Sequence, residues 1–596
     1  MKKGIRKLFS ALLSVAVISS MSSVAFAAEM GTGSSDKSTE IVSTLGMCSP
    51  KAGTEDISID QRTGTVTVKF ETTPQKRQYT KFALIKKTKT DAEMEKAAKS
   101  VDTVVKSSDD GYSSEITLKI PASKLGKKMP FSVYQIYTKS DGTADNGWKK
   151  DWTNQPYITV EFTPELVDQL ISSIQVQSRY AGTDMLCAAA KRGWDSLTEE
   201  EKEQVEEADY FGADVGSASH DDPLNQDGIG KTEILVASFG TSFNTNRVNT
   251  IGAIEAAIEN EFPEFSTRRA FTAQIIINHI QARDGERIDN IEQALDRAVA
   301  NGVKNLVVQP TTLMSGFEYD DVVKAVKEYE SKFDQVVIGK QMCATKEDKE
   351  TALKAVYKSI AEDEGLTVDE AKDCDTAYVL MGHGTAHSAM SLYTDFQKMA
   401  GELGYKNVFV GTVEGEPEGT GAEDVIKAVK TAGYKKVILR PIMVVAGDHA
   451  NNDMAAEDDE ESWYSMFTAA GIEAKTQIKG MGELAEIQDL FVEHAKAAAD
   501  QLVSPAAASV SKLTAGTKSM TVAISGNKAN SGYEVKYSTK ASMANAKTKT
   551  VATTKATIKS LKSKTTYYVK VRSYVKSASG KKIYSAWSKA KNVKVK

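Results

Sequence analysis

At 596 residues, 41% of them apolar and 26% charged, the chain has room for several domains and an ordinary globular composition. Its 75 Lys and Arg against 80 Asp and Glu leave a net charge of −5, which excludes a uniformly basic nucleic-acid coat. That balance conceals a division along the chain. Residues 1–27 carry +4, residues 505–596 carry +19 with Glu534 their one acid, and the body between them carries −28.

Lys2, Lys3, Arg6 and Lys7 precede a mostly apolar run, Leu8 to Val17, and Ala25-Phe26-Ala27 fits a small-x-small cleavage site. This reads as a signal peptide over residues 1–27, cut after Ala27. A membrane anchor is the other reading, but the run falls short of the roughly 20 apolar residues a spanning helix needs. The expected mature protein is secreted or held at the cell surface, with no transmembrane segment after cleavage. Cys48, Cys187, Cys343 and Cys374 are scattered without a C-x-x-C pair, so neither a disulfide framework nor a zinc finger is indicated. Pairing of Cys343 with Cys374 stays open.

Residues 28–40 are a Gly/Ser/Thr-rich leader. Over 41–163, alternating runs at Thr65–Phe70, Phe82–Ile85, Glu115–Ile120, Phe131–Tyr137 and Ile158–Phe162 predict a β-sandwich, interrupted by a helix near Asp91–Ala98. With Tyr79, Trp148 and Trp152 so placed, this region is similar to small β-sandwich domains of Gram-positive surface proteins, some of which bind haem. Simple packing of those aromatics is the plainer reading.

Residues 164–230 turn helical, with Ser196 expected to cap the acidic run that follows. Asp221 to Gly230 reads as a linker turn. From 231 to 503, strands alternate with amphipathic helices, the pattern of an α/β unit with parallel sheets. Residues 505–596 return to all-β. There Leu561, Thr565 and Tyr567 at L-x3-T-x-Y spacing resemble a fibronectin type III module, whose corner Tyr bonds back to the chain.

The α/β unit contains a diverged internal repeat. Ala237-Ser-Phe-Gly-Thr-Ser242 aligns with Met381-Gly-His-Gly-Thr-Ala386, and Leu306 to Glu318 aligns with Ile438 to His449. Both alignments put the key residues where strands hand over to loops, the edge at which open α/β sheets bind ligands. The halves differ chemically: Phe239 stands opposite His383, and Glu318 opposite His449. Glu414 (or the less favoured Glu416), in Thr412-Val-Glu-Gly-Glu-Pro417, joins the two histidines in a possible His/Glu/His set. Neutral imidazoles and a carboxylate suit cobalt, iron, nickel or zinc.

Ser238-Phe-Gly-Thr-Ser, Met381-Gly-His-Gly-Thr, Gly411-Thr-Val-Glu-Gly and Gly447-Asp-His-Ala-Asn-Asn-Asp-Met, in order across roughly 230–503, resemble the anaerobic sirohydrochlorin cobaltochelatases. The resemblance implies a two-lobed chelatase fold with a tetrapyrrole held between the lobes. It implies metal ligation by His383, Glu414 and His449, with His383 and Glu414 also catalytic. Phe239, Gly240, Thr241 and Ser242 would approach the ring, and Glu318 would join the substrate side. A divalent metal (cobalt, or else iron or nickel) enters as substrate, and no organic cofactor is called for.

His387 is expected on the surface rather than beside the metal, and His220, His279 and His494 are expected to be structural. Arg440 either meets substrate carboxylates or caps its strand. Glu457 to Glu461 reads as a solvated face. The whole is expected to be a multidomain protein: a central α/β chelatase fold flanked by all-β sandwiches. Its expected work is metal insertion into sirohydrochlorin outside the cytoplasm. The alternative is a surface protein that captures haem or another metallotetrapyrrole in the same cleft. The basic C-terminal region is expected to meet anionic cell-wall polymers, and no nucleic acid is expected as a partner.

Overall fold

The computed structural model describes residues 41–43, 49–88, 90–137, 149–576 and 580–596; the signal segment, Cys48 and Trp148 lie outside them. Near the N-terminus two four-stranded antiparallel sheets face each other. One orders Ile41–Ser43, Lys149–Val160, Met129–Tyr137 and Gln78–Ala83; the other orders Asp56–Asp60, Thr65–Glu71, Gly111–Pro121 and Val101–Ser108. Alternation drives the pairing: Val66, Val68 and Phe70 point inward and are buried, while their neighbours are not. The helix falls at Asp91–Ala98. Met94 on its buried face joins Ala83 and Trp152 in a small core, and Tyr134 packs edge-on to Trp152 at 5.3 Å. The strand expected at Phe82–Ile85 instead starts at Gln78 and ends at Ala83.

Helices Pro164–Ile174 and Thr183–Ser196 follow. Ser196 ends the second of them, its hydroxyl donating to the Gly193 carbonyl, and the next turn is capped by Thr198 with Glu201 in a reciprocal box. Both residues have a Glu three positions on, but Ser196 still belongs to the preceding helix and its hydroxyl is spent on Gly193, whereas Thr198 has the extended backbone an N-cap needs. These helices share one hydrophobic core with the sandwich, and Ala282 of the α/β unit enters that core.

The α/β unit holds two four-stranded parallel sheets of identical order. The first runs Ser266–Phe271, Thr232–Ser238, Asn305–Pro310, Gln335–Ile338; the second runs Val408–Thr412, Thr376–Gly382, Lys436–Pro441, Glu473–Thr476. Ile234, Leu235, Val236 and Ala237 are all fully buried, as a parallel strand between two helix layers requires. The repeat seen in the sequence is therefore a repeat of topology. The last helix, Ala485–Ala499, returns to the first half and packs on Ala253–Glu261 and Asn305–Pro310. A single core then runs from Val236 and Val307 of the first sheet to Leu380 and Ile438 of the second. The α/β unit is thus one body with two strand-end edges.

The C-terminal region is a second antiparallel sandwich. Ser509–Gly516, Ser519–Ser525 and Lys555–Ile558 form one sheet; Lys547–Val551, Gly532–Ser538, Thr566–Lys576 and Lys582–Tyr584 form the other, with Lys591–Lys594 beside Thr566–Lys576. The Tyr567 hydroxyl accepts from the Lys562 backbone N–H at 3.1 Å, the corner bond expected from its spacing. Cys343 and Cys374 are free thiols, so the pairing left open does not form. Among the described residues no helix is long and apolar enough to cross a membrane.

Candidate functional site

A sheet ordered 2-1-3-4 has its crossovers diverging between strands 1 and 3, and ligands settle at that switch point. In the second half these strands are Thr376–Gly382 and Lys436–Pro441. The loop after the first carries His383, and the segment after the second carries His449. Their rings meet edge to face with centroids 4.6 Å apart. Residues 66 apart in sequence are thus adjacent in space, as the repeat alignment anticipated.

Each ring is oriented by a bond at Nδ1. His383 Nδ1 lies 2.8 Å from the Gly384 carbonyl oxygen, and His449 Nδ1 lies 2.7 Å from Asp453 Oδ2. A carbonyl only accepts, and so does an ionised carboxylate, so both Nδ1 atoms must carry the proton. Both Nε2 atoms are then lone-pair donors. His449 Nε2 is buried and has no hydrogen-bond partner among the described residues. Burial, reinforced by the neighbouring His449, pushes His383 down to about 4, which keeps it neutral at pH 7. Burial is the largest single influence on His449 and opposes its charge, but the Asp453 hydrogen bond and the Asp453, Asp448 and Glu414 charges together outweigh it, so its affinity for protons is raised.

Glu414 is fixed by backbone: its N–H donates to the His383 carbonyl at 2.9 Å, while Val413 N–H donates to Gly382 at 3.0 Å. Its side chain is exposed, as is that of Glu416. Gly384 makes this neighbourhood possible. It has φ +93, and a Cβ there would stand 2.9 Å from Glu414 Cβ. Its N–H donates to the Tyr393 hydroxyl at 3.1 Å. Among the described residues no three His, Cys, Asp or Glu side chains already converge to hold an ion. The two imidazoles are in place, and Glu414 lies on the turn bonded to the His383 carbonyl, near enough for its charge to act on His449.

The first half supplies the facing wall. Thr232–Ser238 runs into Phe239-Gly240-Thr241-Ser242, and Phe239 packs on Ala273 and Ile275. The halves touch here: a Cβ on Gly447 would stand 2.9 Å from Thr241 Oγ1, and Asn246 Oδ1 accepts the Ala446 N–H at 2.8 Å. Glu318 lies in the first turn of helix Phe317–Tyr329. Burial, with the nearby Asp321 charge, raises its affinity for protons, and its own charge acts on Tyr393 of the other half. The structure therefore brings His383, His449 and Glu414 together on one side, Phe239 to Ser242 on the other, and Glu318 to the Tyr393 flank.

Other residues fall differently from expectation. His387 is half-buried rather than on the surface: its Nδ1 accepts the Ala389 N–H at 3.1 Å, its ring meets Phe317 at 4.9 Å, and Nε2 is 3.5 Å from Asp320. It seals the two halves together because a histidine in that loop faces an aromatic across the cleft. Arg440 is buried against Asp363, Gln477 and Ser359, so it cannot reach substrate carboxylates. His279 stacks on Tyr210 at 3.9 Å, and His494 sits 3.4 Å from Asp348, both structural; His220 is exposed. Glu457, Asp458, Glu460 and Glu461 are exposed. Asp453 and Tyr393 were not singled out from sequence. For Asp453 a signal existed, since His449 and Asp453 are four apart where a helical turn juxtaposes them.

Two repeated α/β halves, with a pair of metal-competent imidazoles at the strand edge of one and the Phe239-to-Ser242 loop of the other in contact with the His449 segment, point to a metal chelatase. Comparison with known proteins agrees. The family model described as cobalt chelatase (CbiK) matches residues 232–500. The chain is 33% identical over 277 residues to a sirohydrochlorin cobaltochelatase of Salmonella typhimurium, covering 46% of this chain and all of that one. It is 27% identical over 274 residues to the sirohydrochlorin cobaltochelatase CbiKC of Nitratidesulfovibrio vulgaris, covering 46% of this chain and 92% of that one. Among solved structures, SirB from Bacillus subtilis with Fe3+ matches at 15% identity and TM-score 0.34, over 45% of this chain and 96% of that one. The chain belongs to the cobalt chelatase family.

Proposed function

We propose that the protein inserts a divalent metal, Co2+ in the first instance, into sirohydrochlorin, and that it does so outside the cytoplasm. The observation that carries the reading is the pair of histidines, ring centroids 4.6 Å apart, whose Nδ1–H groups are both committed to acceptors, leaving Nε2 of each as the lone-pair donor. Two neutral imidazoles with Glu414 at hand offer a borderline metal the donors it prefers. Bonds at Nδ1 from outside the metal shell fix ring orientation and tautomer.

In this reading His383, His449 and Glu414 hold the incoming ion loosely. The ring lies against Phe239 to Ser242, with Glu318 at its flank. Insertion releases the two pyrrole N–H protons as the metal forms its bonds to the four ring nitrogens. His383 and His449 give up the ion as the ring displaces it; the freed His449 Nε2, whose proton affinity Asp453 helps raise, takes one proton, and the exposed Glu414 carboxylate passes the other to water. Glu414 offsets positive charge while the ion sheds water.

The location rests on the signal pattern of residues 1–27. The basic residues of 505–596 support retention on anionic wall polymers, because a charge of +19 on one small sandwich attracts polyanions strongly at low salt. Anaerobic incubation of residues 28–596 with sirohydrochlorin and Co2+, followed by absorbance, tests the activity. Turnover beyond one ring per protein supports insertion. Stoichiometric binding without turnover supports the capture alternative instead.

A further inference from the structure

Asp221 was expected in a slack linker turn, yet it is among the most buried carboxylates of the chain. Its side chain is 2% exposed and is shared by two arginines that are themselves 0% and 1% exposed. Asp221 Oδ2 accepts from Arg247 Nε and from Arg269 Nη1, each at 2.6 Å, and Oδ1 accepts from Arg269 Nη2 at 2.9 Å. Arg269 is closed from the other side by Glu255 at 2.6 Å. Arg247 goes on to donate through Nη1 to the Thr241 carbonyl at 3.1 Å, and through Nη2 to Glu286 at 3.2 Å.

That chain of bonds ends on the ring-facing loop. Thr241 is the residue at which the first half touches Gly447, close to His449. The same strap grips the loop again beside it. The Val215 carbonyl accepts the Thr245 N–H at 3.0 Å, and the Gly216 carbonyl accepts Asn244 Nδ2 at 3.0 Å. Gly216 has φ +82, and a Cβ there would fall 1.9 Å from Thr245 Oγ1, so the strap runs in direct contact with the helix that leaves the loop. Arg283, whose Nη2 also donates to Asn244 Oδ1, holds the Ser242 carbonyl at 2.6 Å. All of 215–221 precedes residue 232, where the family match begins.

We infer that the strap at 215–221 belongs to the working site, with Asp221 a positioning residue that sets the Phe239-to-Ser242 loop through Arg247. The inference rests on the chelatase reading of that loop. A buried guanidinium keeps its geometry only while its partners satisfy it; removing one charge from a buried network lets the rest repack. Without the Asp221 carboxylate, Arg247 is drawn toward Glu286 and the Thr241 carbonyl loses its fixed donor. The metal-side residues do not depend on this chain of bonds.

The experiment compares D221N and N244A with the unaltered 28–596 protein, using sirohydrochlorin and Co2+. The second variant cuts the strap from the loop without removing a charge, since Arg283 loses one acceptor but keeps Asp284 and the Ser242 carbonyl, so it reports even if the first fails to fold. The expected result is a rise of about tenfold in KM or Kd for the tetrapyrrole in D221N, a smaller rise in N244A, and Co2+ affinity unchanged in both. Tetrapyrrole Kd by absorbance is read even if the unaltered protein inserts no metal, which separates this inference from the insertion reading. Unchanged tetrapyrrole affinity in folded N244A and D221N overturns it. So does loss of Co2+ and tetrapyrrole affinity in equal measure, which would mark general destabilisation.

Discussion

Replacing Gly384 by alanine isolates the contact between the two halves of the metal side. Gly384 adopts φ +93, a region where an L-residue costs about 1–3 kcal/mol. The added Cβ would also stand 2.9 Å from Glu414 Cβ and 3.2 Å from both Thr412 Cβ and the Glu416 carbonyl. Relief requires the 412–416 turn to move by a few tenths of an ångström, away from the His383 carbonyl that its Glu414 N–H now meets at 2.9 Å. A stability loss of about 2 kcal/mol lowers the melting point of a unit this size by roughly 4–8 °C. Catalytic groups need to be held within about 0.5 Å, so the insertion rate should fall by roughly tenfold or more. Gly419 provides the control. It has φ +86 with nothing within 4 Å of a built Cβ, so G419A carries comparable backbone strain without the collision. The assay is Co2+ insertion by absorbance together with Co2+ affinity by calorimetry. If G384A loses stability but keeps the rate and affinity of G419A, then Glu414 is not placed by Gly384 and the reasoning fails.

H383A and H449A should each cut insertion at least about a hundredfold, and D453N about tenfold through Co2+ affinity, because it frees the His449 ring; H387A, which loses a turn bond and the Phe317 contact, should stay within about fivefold. Full rates in either of the first two variants would remove the metal assignment. His279 is held by burial at about 3, against about 6.5 when unfolded, so its neutral form stabilises fully above pH 6.5 and that stability is lost as pH falls from there toward 3. H279F should therefore show a smaller drop in melting point between pH 7 and pH 5 than the unaltered protein. Retention on purified cell walls should be lost by a chain ending at Leu502, and by the full chain in high salt, since screening shortens to about 3 Å at 1 M; salt-independent retention would leave the lysines as a solubility device.

The architecture was legible because burial and periodicity coincide. Ile234–Ala237 within strand Thr232–Ser238 is an unbroken apolar run between helix layers, and Thr65–Glu71 alternates strictly, so each announces its sheet type. The His383 and His449 pairing was legible through the repeat, which matches strand ends rather than residues. What stayed hidden depends on partners distant in sequence. Val101–Ser108 is not among the expected strands: only Val101 is buried and Val104 is exposed, so it shows no buried face of its own and is held as an edge by Gly111–Pro121. Asp221 looks like a linker acid until Arg247 and Arg269 are folded around it. His387 looked solvated because nothing in its own segment reveals Phe317 across the cleft. Ion pairs and cross-cleft contacts carry no period, so no local pattern can disclose them.

A repeat with identical topology but unlike strand ends solves a geometric problem that a single sheet edge cannot. A flat macrocycle presents two faces, and insertion needs a donor set over one and a firm wall over the other. On the proposed reading, Phe239 of the first half, standing where the second has His383, gives the ring an apolar surface and removes a competing ligand. The supports of the two sides are separate as well. On the metal side, Asp453 and the Gly384 carbonyl orient the imidazoles from within the second half. On the ring side, Arg247 and Arg283 hold consecutive carbonyls of the loop from the first half and its preceding strap. The two sides meet at Thr241 and Gly447, where a single missing Cβ sets how closely they approach. Because the supports do not share residues, metal affinity and ring affinity can be tuned independently, which is what a protein must do to hold both substrates and release the joined product.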